Sequence, residues 1–190
     1  MCTAPVPGSG AIHGKLLLVG DYPDDATGKP FAPDGWDLLT SLLAEIGAVD
    51  WSSDNADDIS FVNHGIYFTT AVKCGTKGRH KPRSKEMKTC RSWLGAQVGI
   101  MRYETRGIIA VALGNLATAA LTGKPLSKCK VSFGHGVFEE VNGRMVLPTI
   151  HPNFVIRRGH AEWGYTRNQL RTDLDQAWRA AQRVLQPQTT

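Results

Sequence analysis

The chain has 190 residues, an apolar fraction of 42% and a formal net charge of +5, which together fit one globular domain with a core of its own. No apolar run reaches the roughly 18 residues of a membrane-spanning helix and no leader-peptide pattern is present, so we expect a soluble, cytoplasmic monomer. Four cysteines at irregular spacing exclude a disulfide framework and favour a metal site or buried thiols.

Apolar strands and amphipathic helices alternate along the chain. The predicted strands cover residues 15–19, 66–72, 107–113, 131–140 and 144–150. The predicted helices cover residues 36–46, 84–103, 114–123 and 162–185. Asn142-Gly143 between the last two strands is typical of a type I′ hairpin turn. This order predicts an α/β fold, a three-layer α/β/α sandwich around a short central parallel sheet. We expect one domain over residues 1–190, with flexible ends at 1–12 and 187–190.

The loop after the first predicted strand is the first candidate site. Glycine and proline break the strand at Gly20-Asp21-Tyr22-Pro23, which puts the Asp21 carboxyl group at the carboxyl end of a parallel strand. Open α/β sheets build their binding sites at that edge. Phe31 follows on the same loop, and an acid beside an aromatic ring suits a planar, uncharged ligand such as a nucleobase. A polar loop with a core phenylalanine is the alternative interpretation.

Three segments together resemble the uracil-DNA glycosylase superfamily, most closely its family 4 branch. Gly20-Asp21-Tyr22-Pro23 and Gly28-Lys29-Pro30-Phe31 are similar to the family's Gly-Glu-x-Pro-Gly loop and the Gly-x-Pro-Phe that follows it. Thr69-Thr70-Ala71-Val72-Lys73-Cys74 and Cys90-Arg91-Ser92-Trp93-Leu94 resemble its Thr-Asn-x-x-Lys-Cys and Cys-Arg-x-x-Leu. Pro148-Thr149-Ile150-His151-Pro152 resembles its Pro-Thr-x-His-Pro, and the motifs occur in the family's order.

The resemblance implies a DNA glycosylase of base-excision DNA repair, a hydrolase that cleaves the N-glycosidic bond of uracil or a related pyrimidine flipped out of DNA. It implies that Asp21 orients the attacking water and stabilises the sugar, and that His151 donates to the base oxygen. The implied base-binding residues are Gly20, Tyr22, Phe31 and Thr70.

The stretch after His151 is the candidate DNA contact. Its candidate residues are Asn153, Val155, Arg157 and Arg158. An apolar wedge followed by two cations suits a loop that enters a duplex and grips phosphate. A helix start that packs its apolar residues into the core is the alternative. The basic loop over residues 73–85 is a second candidate for phosphate contact.

The resemblance also implies a four-iron [4Fe-4S] cluster, but its ligand set is incomplete in this chain. Cys74 and Cys90 match two of the family's ligands, whereas its Cys-x-x-Cys pair is missing and Cys2 is the candidate for one member of that pair. Cys129 matches no ligand of the family. Because such a cluster normally needs four thiolates, four free thiols without a cluster are the alternative.

Two departures from the family pattern keep other functions open. Asp21 replaces a glutamate and is one methylene shorter. Thr70 stands where the family has an asparagine that reads the edge of uracil, so one short hydroxyl replaces a two-sided amide. The chain is therefore either a uracil-DNA glycosylase, a relative that acts on a modified pyrimidine, or a non-catalytic DNA-binding or inhibitory protein that retains the fold.

The residue at position 70 generates the first prediction. We expect a relaxed base preference, because one rotating hydroxyl penalises a wrong base less than a buried amide does. Thr70→Asn should raise uracil release roughly ten- to a hundredfold, the worth of about one to three kcal/mol of hydrogen bonding. Single-turnover release from uracil, thymine and 5-hydroxymethyluracil substrates measures both effects. A strong uracil preference in the wild type would contradict the argument.

Overall fold

The fold is described from a computed structural model. The described residues are 5–49, 65–75, 81–105, 107–131, 134–158 and 160–185. The strands are β1 (Ser9–Gly10), β2 (Leu16–Gly20), β3 (Ile66–Thr70), β4 (Ile109–Leu113), β5 (Glu139–Glu140) and β6 (Met145–Thr149). The helices are α1 (Pro33–Glu45), α2 (Ser84–Thr105), α3 (Asn115–Thr122), α4 (Pro152–Arg157) and α5 (His160–Leu185).

The strands form one sheet in the order β1-β3-β2-β4-β6-β5. The four inner strands run parallel, and the short strands β1 and β5 pair antiparallel at the two edges. Gly20 at the end of β2 lies opposite Thr70 at the end of β3, and Leu113 of β4 lies opposite Thr149 of β6. The parallel strands therefore end together, and the residues that follow them share one rim.

Helices cover both faces of the sheet. Because side chains alternate along a strand, β2 contributes to two cores. Leu16 and Leu18 pack with residues of α1, α4 and α5, whereas Leu17 and Val19 pack with residues of α2 and α3. The inner strands are continuous apolar runs, as expected where both faces are covered. The predicted three-layer sandwich is confirmed, and no helix in the described part of the chain is long and apolar enough to cross a membrane.

Several local predictions need correction. The strand predicted over residues 131–140 is ordered as β5 only at Glu139–Glu140. The N-terminal end that we expected to be flexible, residues 1–12, contains strand β1, which pairs with β3. The Asn142-Gly143 turn is confirmed, since both residues have positive φ, 52° and 71°. Helix α4 was foreseen only as the alternative for the stretch after His151.

Candidate active site

The residues after β2 and β6 meet at one cavity. Its volume is about 220 Å³, and it lies at the rim formed by the parallel strands. The predicted residues that line it are Asp21, Tyr22, Phe31, His151, Asn153 and Arg157. Asp21 and His151 therefore lie on one rim of the sheet. Four further residues line the cavity and were not predicted: Pro23, Asp24, Asp25 and Ala32.

Asp21 reaches from the end of β2 to the first turn of α3. Its Oδ1 accepts a hydrogen bond from the backbone N–H of Ala117 at 2.9 Å. Burial raises the pKa of Asp21 to about 6, against the opposing effect of the N–H groups of Ala117 and Leu116. The carboxyl group thus both accepts a hydrogen bond from the first turn of α3 and forms a wall of the cavity.

Gly114 makes room for this carboxyl group. Its φ is +107°, and a Cβ added there would lie 2.6 Å from Oδ1 of Asp21. A side chain at this position would be strained in its own backbone and would displace the acid. The glycine between β4 and α3 therefore positions Asp21.

His151 is fixed in one tautomer by the helix that follows it. Its Nδ1 accepts a hydrogen bond from the backbone N–H of Asn153 at 3.1 Å, and Pro152 begins α4 where no N–H donor is needed. Burial, and secondarily the charge of Arg157, lowers the pKa of His151 to about 4. At neutral pH the ring is uncharged and carries its proton on Nε2, so it is a hydrogen-bond donor.

Phe31 belongs to both the cavity and the core. It is 3% exposed, and its ring centroid lies 5.9 Å from that of His151 and 6.1 Å from that of Trp36. Its Cε1 would be 2.8 Å from a Cβ added at Gly20. Glycine at the end of β2 thus lets the ring approach the strand. Phe31 is a core residue, as the alternative interpretation expected, and its ring also lines the cavity.

Thr70 is next to this ring but is covered. It lies in register with Gly20, is 1% exposed and is not among the residues that line the cavity. Its hydroxyl is buried without a hydrogen-bond partner among the described residues, a state that costs about 1–3 kcal/mol. The base-reading role of Thr70 stays a prediction.

The unpredicted acids come from the turn that closes the loop after β2. Oδ2 of Asp24 accepts hydrogen bonds from the backbone N–H and from the hydroxyl of Thr27, both at 2.9 Å. Gly28 follows with a φ of +66° and donates to the backbone carbonyl of Asp24. An aspartate three residues before a threonine-glycine pair is the signal that could have identified this turn.

The DNA-contact prediction is only partly compatible with the fold. Val155 is fully buried in the core, so its place in an exposed wedge is wrong and the alternative of a packed helix is right for it. Arg157 and Arg158 are exposed, and the guanidinium carbon of Arg158 lies 4.7 Å from the centre of the Phe154 ring. Both guanidinium groups therefore lie at the exposed C-terminal end of α4.

The basic loop begins with a buried lysine. Lys73 is 3% exposed, and its Nζ donates to Oγ1 of Thr69 at 2.5 Å and to Oε1 of Gln97 at 2.7 Å. Burial lowers the pKa of Lys73 to about 8, against a smaller opposing effect of Cys90. Lys73 is therefore no phosphate contact, and residues 76–80 of the predicted loop lie outside the described residues.

The described thiols do not form a cluster site. Cys74 is disulfide-bonded, so the alternative of four free thiols is wrong. Cys90 and Cys129 are free and buried. Sγ of Cys90 accepts from the backbone N–H of Lys73 at 3.4 Å. No three histidine, cysteine or acidic side chains converge on a metal position within the described ranges, and Cys2 lies outside them.

Comparison with known proteins identifies the family of this chain. The model of the uracil DNA glycosylase superfamily matches residues 7–182, so the chain belongs to this superfamily.

The chain is similar to uracil-DNA glycosylases of two types. The chain is 30% identical over 159 residues to a type-4 uracil-DNA glycosylase of Thermotoga maritima, with 82% of this chain and 73% of the relative covered. It is 34% identical over 155 residues to a type-5 uracil-DNA glycosylase of Thermus thermophilus, with 77% and 68% covered. A DNA polymerase of Bacillus phage SP01 is 27% identical over 157 residues, which cover 81% of this chain and 15% of the polymerase.

The opposite pKa shifts at the cavity predict the pH dependence of base release. The Asp21 carboxylate forms only as pH rises through about 6, whereas His151 is already neutral above about 4. The single-turnover rate should therefore rise as the pH increases, with an apparent pKa near 6, and then level off. Titration of His151 should not change the rate between about pH 4 and about pH 6. A rate that is level down to pH 5, or that falls above pH 6, would contradict this assignment.

Proposed function

We propose that this chain is a DNA glycosylase that hydrolyses the N-glycosidic bond of uracil, or of a related pyrimidine, extruded from DNA. One observation carries the proposal. Asp21 and His151 line the same cavity, and burial raises the pKa of the acid while it lowers that of the histidine. The names of the type-4 and type-5 relatives support the same reaction.

Asp21 acts on the sugar side of the bond. As the bond between the sugar C1′ and the base nitrogen breaks, its electron pair leaves with the base and positive charge develops on the sugar. The carboxylate stabilises that charge and orients a water whose oxygen bonds to C1′. With a pKa of about 6, it is basic enough to accept the proton that this water loses.

His151 acts on the base side of the bond. The departing pyrimidine carries negative charge that spreads to its carbonyl oxygens. Because Nδ1 is occupied by the backbone N–H of Asn153, the Nε2 proton is the one that His151 offers to such an oxygen. A neutral donor stabilises the developing anion by a hydrogen bond without transferring a full proton.

The flipped base is held between rings and strand ends. We assign stacking to Phe31, whose ring is fixed by Gly20, Trp36 and His151. Tyr22 forms another part of the cavity wall. Thr70 is covered in this structure, and we assign it to the polar edge of the base because its buried hydroxyl has no hydrogen-bond partner among the described residues. The same hydroxyl favours a modified pyrimidine as the second candidate substrate.

DNA contact is assigned to the first turns after β6. Arg157 lines the cavity, and Arg158 is exposed beside it, so both guanidinium groups can bind phosphate next to the extruded nucleotide. Asn153 also lies at the cavity. A monomer is sufficient for this arrangement, since every named group comes from one chain. The cluster expected from Cys2, Cys74 and Cys90 is left out of this proposal, because Cys74 is disulfide-bonded, and no step of the reaction uses it.

The roles assigned to Asp21 and His151 predict that removing either side chain lowers uracil release. Asp21→Asn and His151→Ala should each lower single-turnover uracil release roughly a hundredfold or more, the usual scale for a positioned acid–base or oxyanion group. Binding of a DNA duplex should persist in both variants, because neither side chain is assigned to phosphate.

Two exposed residues supply controls. Asp37→Asn removes an exposed acid of α1 and His13→Ala removes an exposed histidine, and both should release uracil at the wild-type rate. Wild-type release by Asp21→Asn or His151→Ala would show that other residues carry the reaction. Wild-type protein that binds uracil-containing DNA without releasing uracil would favour the non-catalytic alternative.

A further inference from the structure

The side-chain amide of Asn153 has no protein partner for its oxygen. Two buried side-chain polar atoms in the described part of the chain lack a hydrogen bond, the hydroxyl of Thr70 and Oδ1 of Asn153. Buried polar atoms in folded proteins are nearly always paired. Asn153 lines the cavity, whereas Thr70 is covered, so of these two side chains the amide of Asn153 is the one that borders the cavity.

The packing of Asn153 decides which end of its amide faces the cavity. Oδ1 is held against α1, because a Cβ added at Gly35 would lie 2.1 Å from it. The Cα–H of a glycine is a weak donor and suits a carbonyl oxygen, whereas an NH₂ group buried there would lose two donors. Since Asn153 also lines the cavity, the NH₂ end is the one that it presents there.

The same turn fixes His151 and Asn153 relative to each other. The backbone N–H of Asn153 donates to Nδ1 of His151 at 3.1 Å, and α4 begins between them at Pro152. The Nε2–H of His151 and the NH₂ group of Asn153 are therefore two donors that project from the same short segment at the start of α4. No acceptor from Asn153 accompanies them, because its oxygen faces Gly35.

We propose that Asn153 is a specificity-determining residue that reads the flipped base, donating from its NH₂ group to a carbonyl oxygen of a pyrimidine-2,4-dione. The inference rests on the glycosylase function proposed above. A site of donors accepts a dione, whose polar edge offers two carbonyl oxygens, and rejects cytosine, whose exocyclic amine is itself a donor. The amide of Asn153 thus supplies a hydrogen bond to the base that the single hydroxyl of Thr70 does not. It makes no contact that distinguishes the substituent at carbon 5 of the pyrimidine.

Two substitutions test this role in different ways. Asn153→Ala removes the amide and keeps the backbone N–H that orients His151. Gly35→Ala keeps the amide but fills the space that holds its oxygen, and alanine suits the helical backbone of α1. Asn168→Ala, at an exposed position of α5, is the matched control. Thermal melting establishes that each variant is folded.

The readouts separate base contact from phosphate contact. We expect Asn153→Ala and Gly35→Ala to lower uracil release and binding of a uracil-containing oligonucleotide roughly ten- to a hundredfold, the scale for a lost hydrogen bond in a discriminating site. Binding of the same oligonucleotide with a tetrahydrofuran abasic analogue in place of the deoxyuridine should be unchanged. Equal losses on both oligonucleotides would make Asn153 a phosphate contact and overturn the proposal, as would wild-type release and binding in both variants.

If the chain is not a glycosylase, the same experiments give a different set of results. If the wild type releases no uracil, the glycosylase function fails, but the binding comparison still decides the role of Asn153. In that case a preference of the wild type for uracil over cytosine oligonucleotides that Asn153→Ala abolishes supports the inference. The absence of any such preference in the wild type refutes it.

Discussion

The hydrogen bond from the backbone N–H of Asn153 to Nδ1 of His151 is the constraint on which the site depends. It satisfies one of the free N–H groups at the start of α4, and it fixes the imidazole in the tautomer whose proton is on Nε2. Burial keeps that ring neutral. The start of α4 fixes the tautomer of His151, and burial fixes its charge state; this is the donor that we assign to the leaving base.

Burial has the opposite effect on the pKa of Asp21, because it disfavours the charged carboxylate. The first turn of α3 compensates through its N–H groups and the positive end of its dipole, with Gly114 leaving the space that the carboxyl group occupies. The compensation is incomplete, so the pKa of Asp21 stays raised. The sheet thus brings together at one cavity an acid whose pKa is raised and a histidine whose pKa is lowered, the two groups to which we assign the attacking water and the leaving base.

Much of this could be predicted from the sequence because it follows from order along the chain. Alternating strands and helices define the sandwich, and a break after a buried strand places Asp21 and His151 at the rim. Burial of individual side chains could not be predicted in the same way. Val155 lies in an apolar run that suits an exposed wedge and a packed helix equally, and Lys73 belongs to a basic segment yet finds acceptors beneath α2. The amide of Asn153 is informative only through its contact with Gly35, which is distant in sequence.

Imidazole nitrogen NMR of selectively labelled protein tests the central claim most directly, because it reports the charge and tautomer of His151 without depending on catalysis. Spectra recorded while the pH is lowered from about 8 to about 5 should contain one ring that stays neutral, with its proton on Nε2 and Nδ1 unprotonated, and His151→Ala should remove its signals. A ring at position 151 that becomes an imidazolium near its ordinary pKa of 6.5, or that carries its neutral proton on Nδ1, would contradict the account.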